Sequence, residues 1–270
     1  GYELWAETAK DASDKCDDIL AILDKIDGEE TSEMESIKKY LDPNRHDNSL
    51  PLSKYNGPFG SMHGTWVYPI YYISMLTLLV GNITAVYQQS AKRMLAYSSI
   101  SHAGYMLLTV SANQASTPST ILYYSLSYTL ATIVAFGVVM LVAEYQTGRT
   151  EKPENISSFE GLAKQNPGLA FCFTIAMLSL AGIPLTAGFW GKFFVFSDIF
   201  NRHVYYPVIL AIVMSAVGVY YYFKGIIAIY FKEGDIERIE LPGLVKFAMW
   251  ACTLGTLLLG VYPSIVKNLF

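Results

Sequence analysis

The sequence predicts an all-α membrane protein, in which a polytopic bundle of about six transmembrane helices follows a soluble acidic N-terminal segment. Hydrophobic residues make up 52% of the 270 residues, and the 50 residues from Met94 to Ala143 contain no Asp, Glu, Lys or Arg. Uncharged apolar stretches recur along the chain at lengths near the roughly 20 residues that a spanning helix needs. Six such stretches in succession argue against the core of a soluble protein.

The N-terminal segment, residues 1–65, is set apart by its charge. It carries 14 Asp and Glu against 7 Lys and Arg, a net charge of −7, whereas residues 66–270 carry 9 against 12, a net charge of +3. Apolar residues at helical spacing from Ile19 to Ile26 predict a partly helical segment outside the membrane. We expect it to be either a docking arm for a partner or a solvated insertion. Its acidity argues against nucleic-acid binding.

The transmembrane spans are predicted at about 68–88, 94–112, 118–143, 167–197, 204–231 and 244–267. The fourth is too long for one straight helix, because 31 residues at 1.5 Å each would reach ~46 Å across a hydrocarbon core of about 30 Å. We therefore expect it to be discontinuous near 182–191. The residues that disfavour a regular helix there are Gly182, Pro184, Gly188 and Gly191.

The distribution of Lys and Arg predicts the orientation of the bundle. One side collects Lys92, Arg93, Arg149, Lys152, Lys164, Lys232, Arg238 and Lys246. The other side has Arg202, Lys267 and Lys54. Because cytoplasmic loops carry the excess of Lys and Arg, the first side is expected to be cytoplasmic. The acidic segment and the C-terminus then lie on the non-cytoplasmic side of a bacterial inner membrane, or of the mitochondrial inner membrane.

Lys192 is the first candidate for chemistry, as the single charged residue between Pro167 and Ser197. A lysine at the centre of a spanning helix costs about 2.5–3.5 kcal/mol on insertion scales, so its presence indicates a function. Unwound backbone at membrane depth survives only against protein or water, and Lys192 is therefore expected to face a hydrated interior. Since burial disfavours the ammonium form, the side chain can exchange protons. The alternative is a lysine that snorkels to the interface.

His102 is the second candidate, in the hydroxyl-rich run from Ser98 to Tyr105. It is proposed as a proton relay to Lys192, and the alternative is a histidine hydrogen-bonded for packing between helices. We expect a polar contact between the second and fourth spans, with the imidazole within one or two hydrogen bonds of Lys192. The third span adds the hydroxyls of Tyr123, Tyr124, Ser125, Ser127, Tyr128 and Thr129.

Lys224 and Lys92 are weaker candidates, each as a relay or a channel mouth. Lys224 lies late in the fifth span and either snorkels to the interface or lines such a mouth. Lys92, with Arg93, begins the second span, where basic residues are more often topological anchors.

The cysteines and glycines favour no cofactor in this chain. Cys16, Cys172 and Cys252 are far apart and form no CxxC pair, and no nucleotide-binding glycine motif is visible. We therefore expect no metal, iron–sulfur cluster or nucleotide to be bound here.

Two segments resemble the antiporter-like membrane subunits of respiratory complex I, the proton-pumping NADH:quinone oxidoreductase. They are Gly81–Tyr105, GNITAVYQQSAKRMLAYSSISHAGY, and Leu180–Phe193, LAGIPLTAGFWGKF, which looks like the discontinuous twelfth helix of that family. The third span has hydroxyls and no lysine, and in this it is more similar to the subunit N branch than to subunits M and L. The resemblance covers about residues 66–270.

The resemblance implies a fragment holding helices nine to fourteen of a fourteen-helix subunit. The family's first repeat, with its glutamate on helix five and lysines on helices seven and eight, would lie outside these 270 residues. The implied activity is proton translocation, coupled to quinone reduction elsewhere in the complex. NADH, FMN, the iron–sulfur clusters and quinone would bind other subunits, and the expected partners are the other membrane subunits and the lipid bilayer.

Two rival functions are weighed against this one. The first is a subunit of a multi-subunit sodium/proton antiporter, which usually carries a lysine in the third span, where this chain has none. The second is a structural membrane module in which Lys192 is inert.

Overall fold

A computed structural model describes residues 67–112, 116–148, 150, 152–201, 205–234, 236 and 238–264. The predicted acidic segment 1–65 lies outside this part of the chain, as do Arg149, Arg202 and Lys267. Within the described residues there are eight α-helices and no β-strand, which confirms the predicted all-α bundle.

The helices follow the apolar stretches in order. They are α1 Val67–Val86, α2 Ala91–Ala112, α3 Thr117–Gln146, α4 Leu162–Gln165, α5 Pro167–Ala181, α6 Ala187–Phe200, α7 Tyr205–Phe231 and α8 Gly243–Val261. A 3-10 turn, Ile156–Phe159, lies in the connection between α3 and α4.

In the part of the chain that the structure describes, four helices are long and apolar enough to cross a membrane by length and composition. They are α1 from Pro69 onward, α3, α7 and α8. α5 is apolar but has 15 residues. α2 has 22 residues, yet Lys92, Arg93, His102 and its serines make it the most polar of the long helices. The second and fourth predicted spans thus stand apart from the other four, because one carries polar side chains and the other is broken.

The break in the fourth span begins with a glycine C-cap. α5 ends at Ala181, and Gly182 takes a left-handed conformation with φ of +83°. The Gly182 amide donates to the carbonyl of Ser179 and the Ile183 amide to that of Leu178, both at 3.0 Å, the pattern of a Schellman motif. These bonds satisfy two of the carbonyls that the helix leaves unpaired.

The break is shorter than the predicted 182–191, because α6 begins at Ala187. Pro184 lies inside it, but Gly188 and Gly191 lie within α6, so assigning them to the helix break was wrong. These two glycines instead allow α6 to pack closely against α5 and α3. A Cβ on Gly188 would lie 1.8 Å from the carbonyl oxygen of Ser179, and one on Gly191 would lie 3.1 Å from Cδ2 of Tyr124.

The basic connections meet at one end of the bundle, which we call the loop end. The amide of Ala91 donates to the carbonyl of Glu154 at 2.8 Å, and the amide of Ile156 to that of Gln89 at 2.9 Å. Three ion pairs join the same connections: Lys92–Glu154 at 2.9 Å, Lys164–Glu233 at 3.0 Å and Lys232–Glu160 at 2.9 Å. The opposite end, where α2, α6 and α8 finish, we call the far end.

The two larger of three apolar clusters among the described residues lie at different levels along the helix axes. The loop-end cluster includes Leu95, Val138, Phe173, Ala181 and Tyr222. The far-end cluster includes Leu78, Tyr105, Leu108, Val195, Ile199, Val208 and Met214. Along α2 and α7, His102 and Ser215 fall between members of these two clusters, and Lys192 on α6 is bonded to Ser215, so the deep polar side chains form a layer between the clusters.

Candidate functional site

Lys192 lies buried against the break in the fourth span. Its side chain is 6% exposed, and its Nζ donates to the carbonyl of Ala181 at 2.9 Å and to the hydroxyl of Ser215 at 3.0 Å. A Cβ on Gly182 would lie 2.9 Å from Cδ of Lys192, so the aliphatic stem packs on the glycine that ends α5. The ammonium therefore occupies the negative end of a helix dipole, where a cation is favoured.

The two short helix ends at the break satisfy each other's unpaired groups. Ala181 is one of the last carbonyls of α5, and Lys192 reaches back to it from α6. In the other direction, the amide of Gly188 in the first turn of α6 donates to the hydroxyl of Ser179 on α5 at 3.1 Å. Buried backbone groups without partners are costly in a membrane, and this exchange explains how the unwound segment is tolerated.

His102 is held between two tyrosine hydroxyls. It is 5% exposed, with Nδ1 2.7 Å from the hydroxyl of Tyr124 on α3 and Nε2 3.1 Å from that of Tyr222 on α7. A neutral imidazole has one donor and one acceptor nitrogen, so one tyrosine donates to the ring and the other accepts from it. The Tyr222 hydroxyl is also hydrogen-bonded to that of Ser98. Ser98, Tyr222, His102 and Tyr124 thus form a continuous hydrogen-bonded chain across three helices.

Tyr105 joins the surroundings of His102 to those of Lys192. The Lys192 Nζ lies 5.4 Å from the centre of the Tyr105 ring, a cation–π distance. The centre of the same ring lies 6.2 Å from that of the His102 ring. On α7, Ser215 is bonded to Lys192 and Tyr222 to His102. Ser215 and Tyr222 are seven positions apart, so they lie on one helix face about 10 Å from each other.

A small cavity adjoins this layer. It measures about 10 Å³ and is lined by His102, Tyr124, Ser127, Tyr128, Ser179, Leu180 and Gly188. Its volume is near the minimum that holds one water, and its polar lining offers several hydrogen-bonding partners. The cavity lies between the imidazole and Gly188, which is one turn before Lys192.

The hydroxyls predicted on the third span divide between different surroundings. Tyr124, Ser127 and Tyr128 line the cavity beside His102. Tyr123 instead donates to the carbonyl of Leu259 on α8 at 2.8 Å, and Thr129 is exposed. Helical spacing accounts for the split, since residues 124, 127 and 128 share one face of α3.

Lys224 lines a larger cavity at the loop end. The cavity has a volume of about 440 Å³, with Gln89, Asn155, Ser157 and Lys232 among its polar lining residues. The Lys224 Nζ donates to the carbonyl of Gln88 at 3.2 Å. Lys92 is exposed at this end and paired with Glu154. Of the two weaker candidates, Lys224 lines this cavity and Lys92 does not.

The sequence did not predict Ser215 and Tyr222 as site residues, although they are hydrogen-bonded to Lys192 and His102. A signal was present, because the two residues are seven positions apart in the fifth span and so share a helix face. Among the described residues no group of three His, Cys, Asp or Glu side chains is placed to hold a metal ion.

Comparisons with known proteins agree on one family. Residues 52–218 match the family profile described as NADH:quinone oxidoreductase/Mrp antiporter, transmembrane. A relative from Trichlorobacter lovleyi, named NADH-quinone oxidoreductase subunit N, is 39% identical over 210 residues, which are 77% of this chain and 42% of that protein. The chain thus spans about two fifths of the length of the curated relatives it matches.

Solved structures show the same fold. A chain of respiratory complex I from Thermus thermophilus with bound aureothin is 33% identical, with a TM-score of 0.66, and the match covers 74% of this chain and 45% of that one. A chain of the Mrp complex from Dietzia sp. DQ12-45-1b has a TM-score of 0.69 at 19% identity, covering 81% and 48%. The second likeness concerns the fold alone.

Proposed function

Because this chain belongs to the family of membrane subunits shared by NADH:quinone oxidoreductase and the Mrp antiporters, we propose that it is part of a proton-translocating subunit N of complex I. Relatives that are 35–40% identical over about 210 aligned residues carry that subunit's name, which supports this over the antiporter role. NADH, FMN, iron–sulfur clusters and quinone are assigned to other subunits, and the other membrane subunits are the proposed partners.

Lys192 is the proposed proton carrier, and its position against the break supports this role. As an ammonium, it donates to the Ala181 carbonyl and the Ser215 hydroxyl. As a neutral amine, it keeps one donor for the carbonyl and offers its lone pair to the serine hydroxyl, which can turn to donate. Both protonation states therefore have partners in the same place. A carrier needs this property, because neither state then requires the bundle to unfold locally.

His102 is the proposed relay toward Lys192. An imidazole can accept a proton at one nitrogen and release one from the other, so it passes protons along a chain without moving far. The hydrogen bonds to Tyr124 and Tyr222 extend this chain on both sides. The cavity beside His102 and Gly188 leaves room for about one water in the direction of Lys192.

Lys224 marks the proposed mouth on the loop side. Its side chain lines a cavity of about 440 Å³ at the loop end, which supports this position. The excess of Lys and Arg assigns the loop end to the cytoplasm, with the acidic N-terminal segment and the C-terminus on the opposite side.

Proton ejection by the assembled complex in sodium-free vesicles tests the function class. The expected result is ejection that requires NADH oxidation and proceeds at the same rate without sodium. A requirement for sodium, or exchange of sodium for protons with no NADH present, would instead favour the antiporter function.

A further inference from the structure

Asp198 is a second buried ionisable group on α6, and the relay proposed above does not use it. It is 5% exposed, and its Oδ1 accepts a hydrogen bond of 2.6 Å from the hydroxyl of Ser116. Its Oδ2 is also buried, and has no hydrogen-bond partner among the residues that the structure describes. A buried carboxylate oxygen without a partner is costly, which makes Asp198 a candidate for proton exchange.

The start of α3 favours the charged form of this carboxylate. Ser116 occupies the N-cap position of α3, yet its side chain caps no amide of the helix and is bonded to Asp198 instead. The positive end of a 30-residue helix dipole therefore lies beside the carboxylate. At the far end of the bundle, Asp198 thus accepts a hydrogen bond from a hydroxyl, lies beside a helix N-terminus and has one unpaired oxygen.

Lys192 and Asp198 are both buried on α6, six residues or about 9 Å apart along the axis. Between them α6 contributes Val195, which is fully buried. Two of the neighbouring helices place an apolar residue at the same level, whereas α3 places the buried Thr120 there, one turn after Ser116. Leu108 on α2 lies one turn beyond Tyr105, and Ala211 on α7 lies one turn beyond Ser215.

We call Leu108, Val195 and Ala211 the apolar layer, and all three are fully buried in the far-end cluster. Apolar packing of this kind holds no water, so a proton on Lys192 does not pass between these three side chains in this conformation. A pump needs such a barrier, because an open path would let protons return.

We propose that Asp198 is the proton acceptor beyond the apolar layer, receiving the proton that Lys192 releases when the layer becomes wet. This inference rests on the proposed function, and it names the residue that accepts the proton on the exit side. In the transfer, one N–H bond of the Lys192 ammonium breaks and an O–H bond forms at Oδ2 of Asp198, leaving a neutral amine and a neutral carboxyl. The carboxyl then loses its proton to water at the far end and returns to the carboxylate.

The test compares Asp198→Asn, Asp198→Glu and Lys192→Ala in the assembled complex, as protons ejected per NADH oxidised in vesicles. Asparagine keeps the acceptor for Ser116 and the shape of the side chain, but cannot carry a proton. Asp198→Asn should lower the ratio to that of Lys192→Ala, and Asp198→Glu should restore most of it. A merely structural role would predict a normal ratio in Asp198→Asn.

The outcomes separate this inference from the proposed function. A normal ratio in Asp198→Asn, with a lowered ratio in Lys192→Ala, overturns the exit role and leaves the function standing. A normal ratio in Lys192→Ala overturns the function itself.

A second variant applies if Asp198→Asn fails to assemble. Val195→Thr adds one hydroxyl to the apolar layer, and the hydroxyl can bond to the preceding turn of its own helix. The proton leak across vesicles under an imposed pH gradient, without NADH, should rise several-fold over the unsubstituted complex. An unchanged leak overturns the claim that this layer separates Lys192 from Asp198.

Discussion

The Nζ of Lys192 lies 2.9 Å from the carbonyl oxygen of Ala181, so that a side chain from the second half of a broken helix caps the first half. The pair links two features that the sequence shows separately, a buried lysine and an interrupted span. The lysine stabilises the break by satisfying a free carbonyl. In return, the break supplies a polar partner at a depth where the bundle offers few.

Lys192→Arg tests whether the proton must leave this position. A guanidinium stays protonated at any accessible pH, so it can replace the charge but cannot cycle. We expect the complex to assemble and proton ejection per NADH to fall nearly as far as in Lys192→Ala. Native gel electrophoresis checks assembly, and a normal ejection ratio with arginine would show that a fixed positive charge is sufficient.

Tyr222→Phe tests the hydrogen-bonded chain through His102. The substitution removes the hydroxyl that bonds both Nε2 and Ser98. It should lower the rate of proton ejection about 100-fold, the low end of the effect of losing a positioned proton carrier. Tyr123→Phe is the matched control. Its hydroxyl bonds the Leu259 carbonyl away from this chain, and its loss should cost about 1 kcal/mol of stability with little effect on ejection. Equal effects of the two variants would argue against the chain.

Gly188→Ala tests the close contact of α5 and α6 at the break. A Cβ there would lie 1.8 Å from a backbone oxygen, which neither helix can avoid without moving, so we expect a loss of about 3 kcal/mol or more. Gly243→Ala at the start of α8 is the control, because a Cβ there meets nothing within 4 Å. Thermal unfolding of the purified complex compares them, and similar melting temperatures would contradict this packing.

Cys16 reports the side of the membrane on which the acidic segment lies. A net charge of −7 in residues 1–65 cannot enter hydrocarbon, and the excess of Lys and Arg in the loops predicts that the loop end is cytoplasmic and the acidic segment is on the other side. A membrane-impermeant thiol reagent should therefore label Cys16 from the non-cytoplasmic side, with Cys16→Ser as the unlabelled control. Labelling from the cytoplasmic side alone would invert the topology.

The sequence was sufficient for the architecture because apolar length and helix breakers are local signals. The apolar stretches became helices, and Gly182 and Pro184 fell in the break as predicted. Gly188 and Gly191 did not, because their spacing looks the same in a loop as in a tightly packed helix. Only the neighbouring helix shows why a side chain is excluded there.

The candidate site was predictable in its deep residues but not in their partners. Lys192 and His102 can be recognised from the sequence because titratable side chains are rare in an uncharged bundle. Ser215 and Tyr222 cannot, because their roles depend on the packing of α7 against α2 and α6. Asp198 was overlooked because it follows the apolar part of its span by sequence and looks like an interfacial acid. Its burial depends on the start of α3, which no local pattern specifies.

Lys192→Ala compared with Lys224→Ala tests the central claim most directly, as protons ejected per NADH oxidised by the assembled complex in vesicles. Lys192 is buried against the break, whereas Lys224 lines an open cavity and bonds a carbonyl near the surface. The account predicts a much lower ratio for Lys192→Ala than for Lys224→Ala. Near-normal and equal ratios in both variants, with assembly verified, would contradict it.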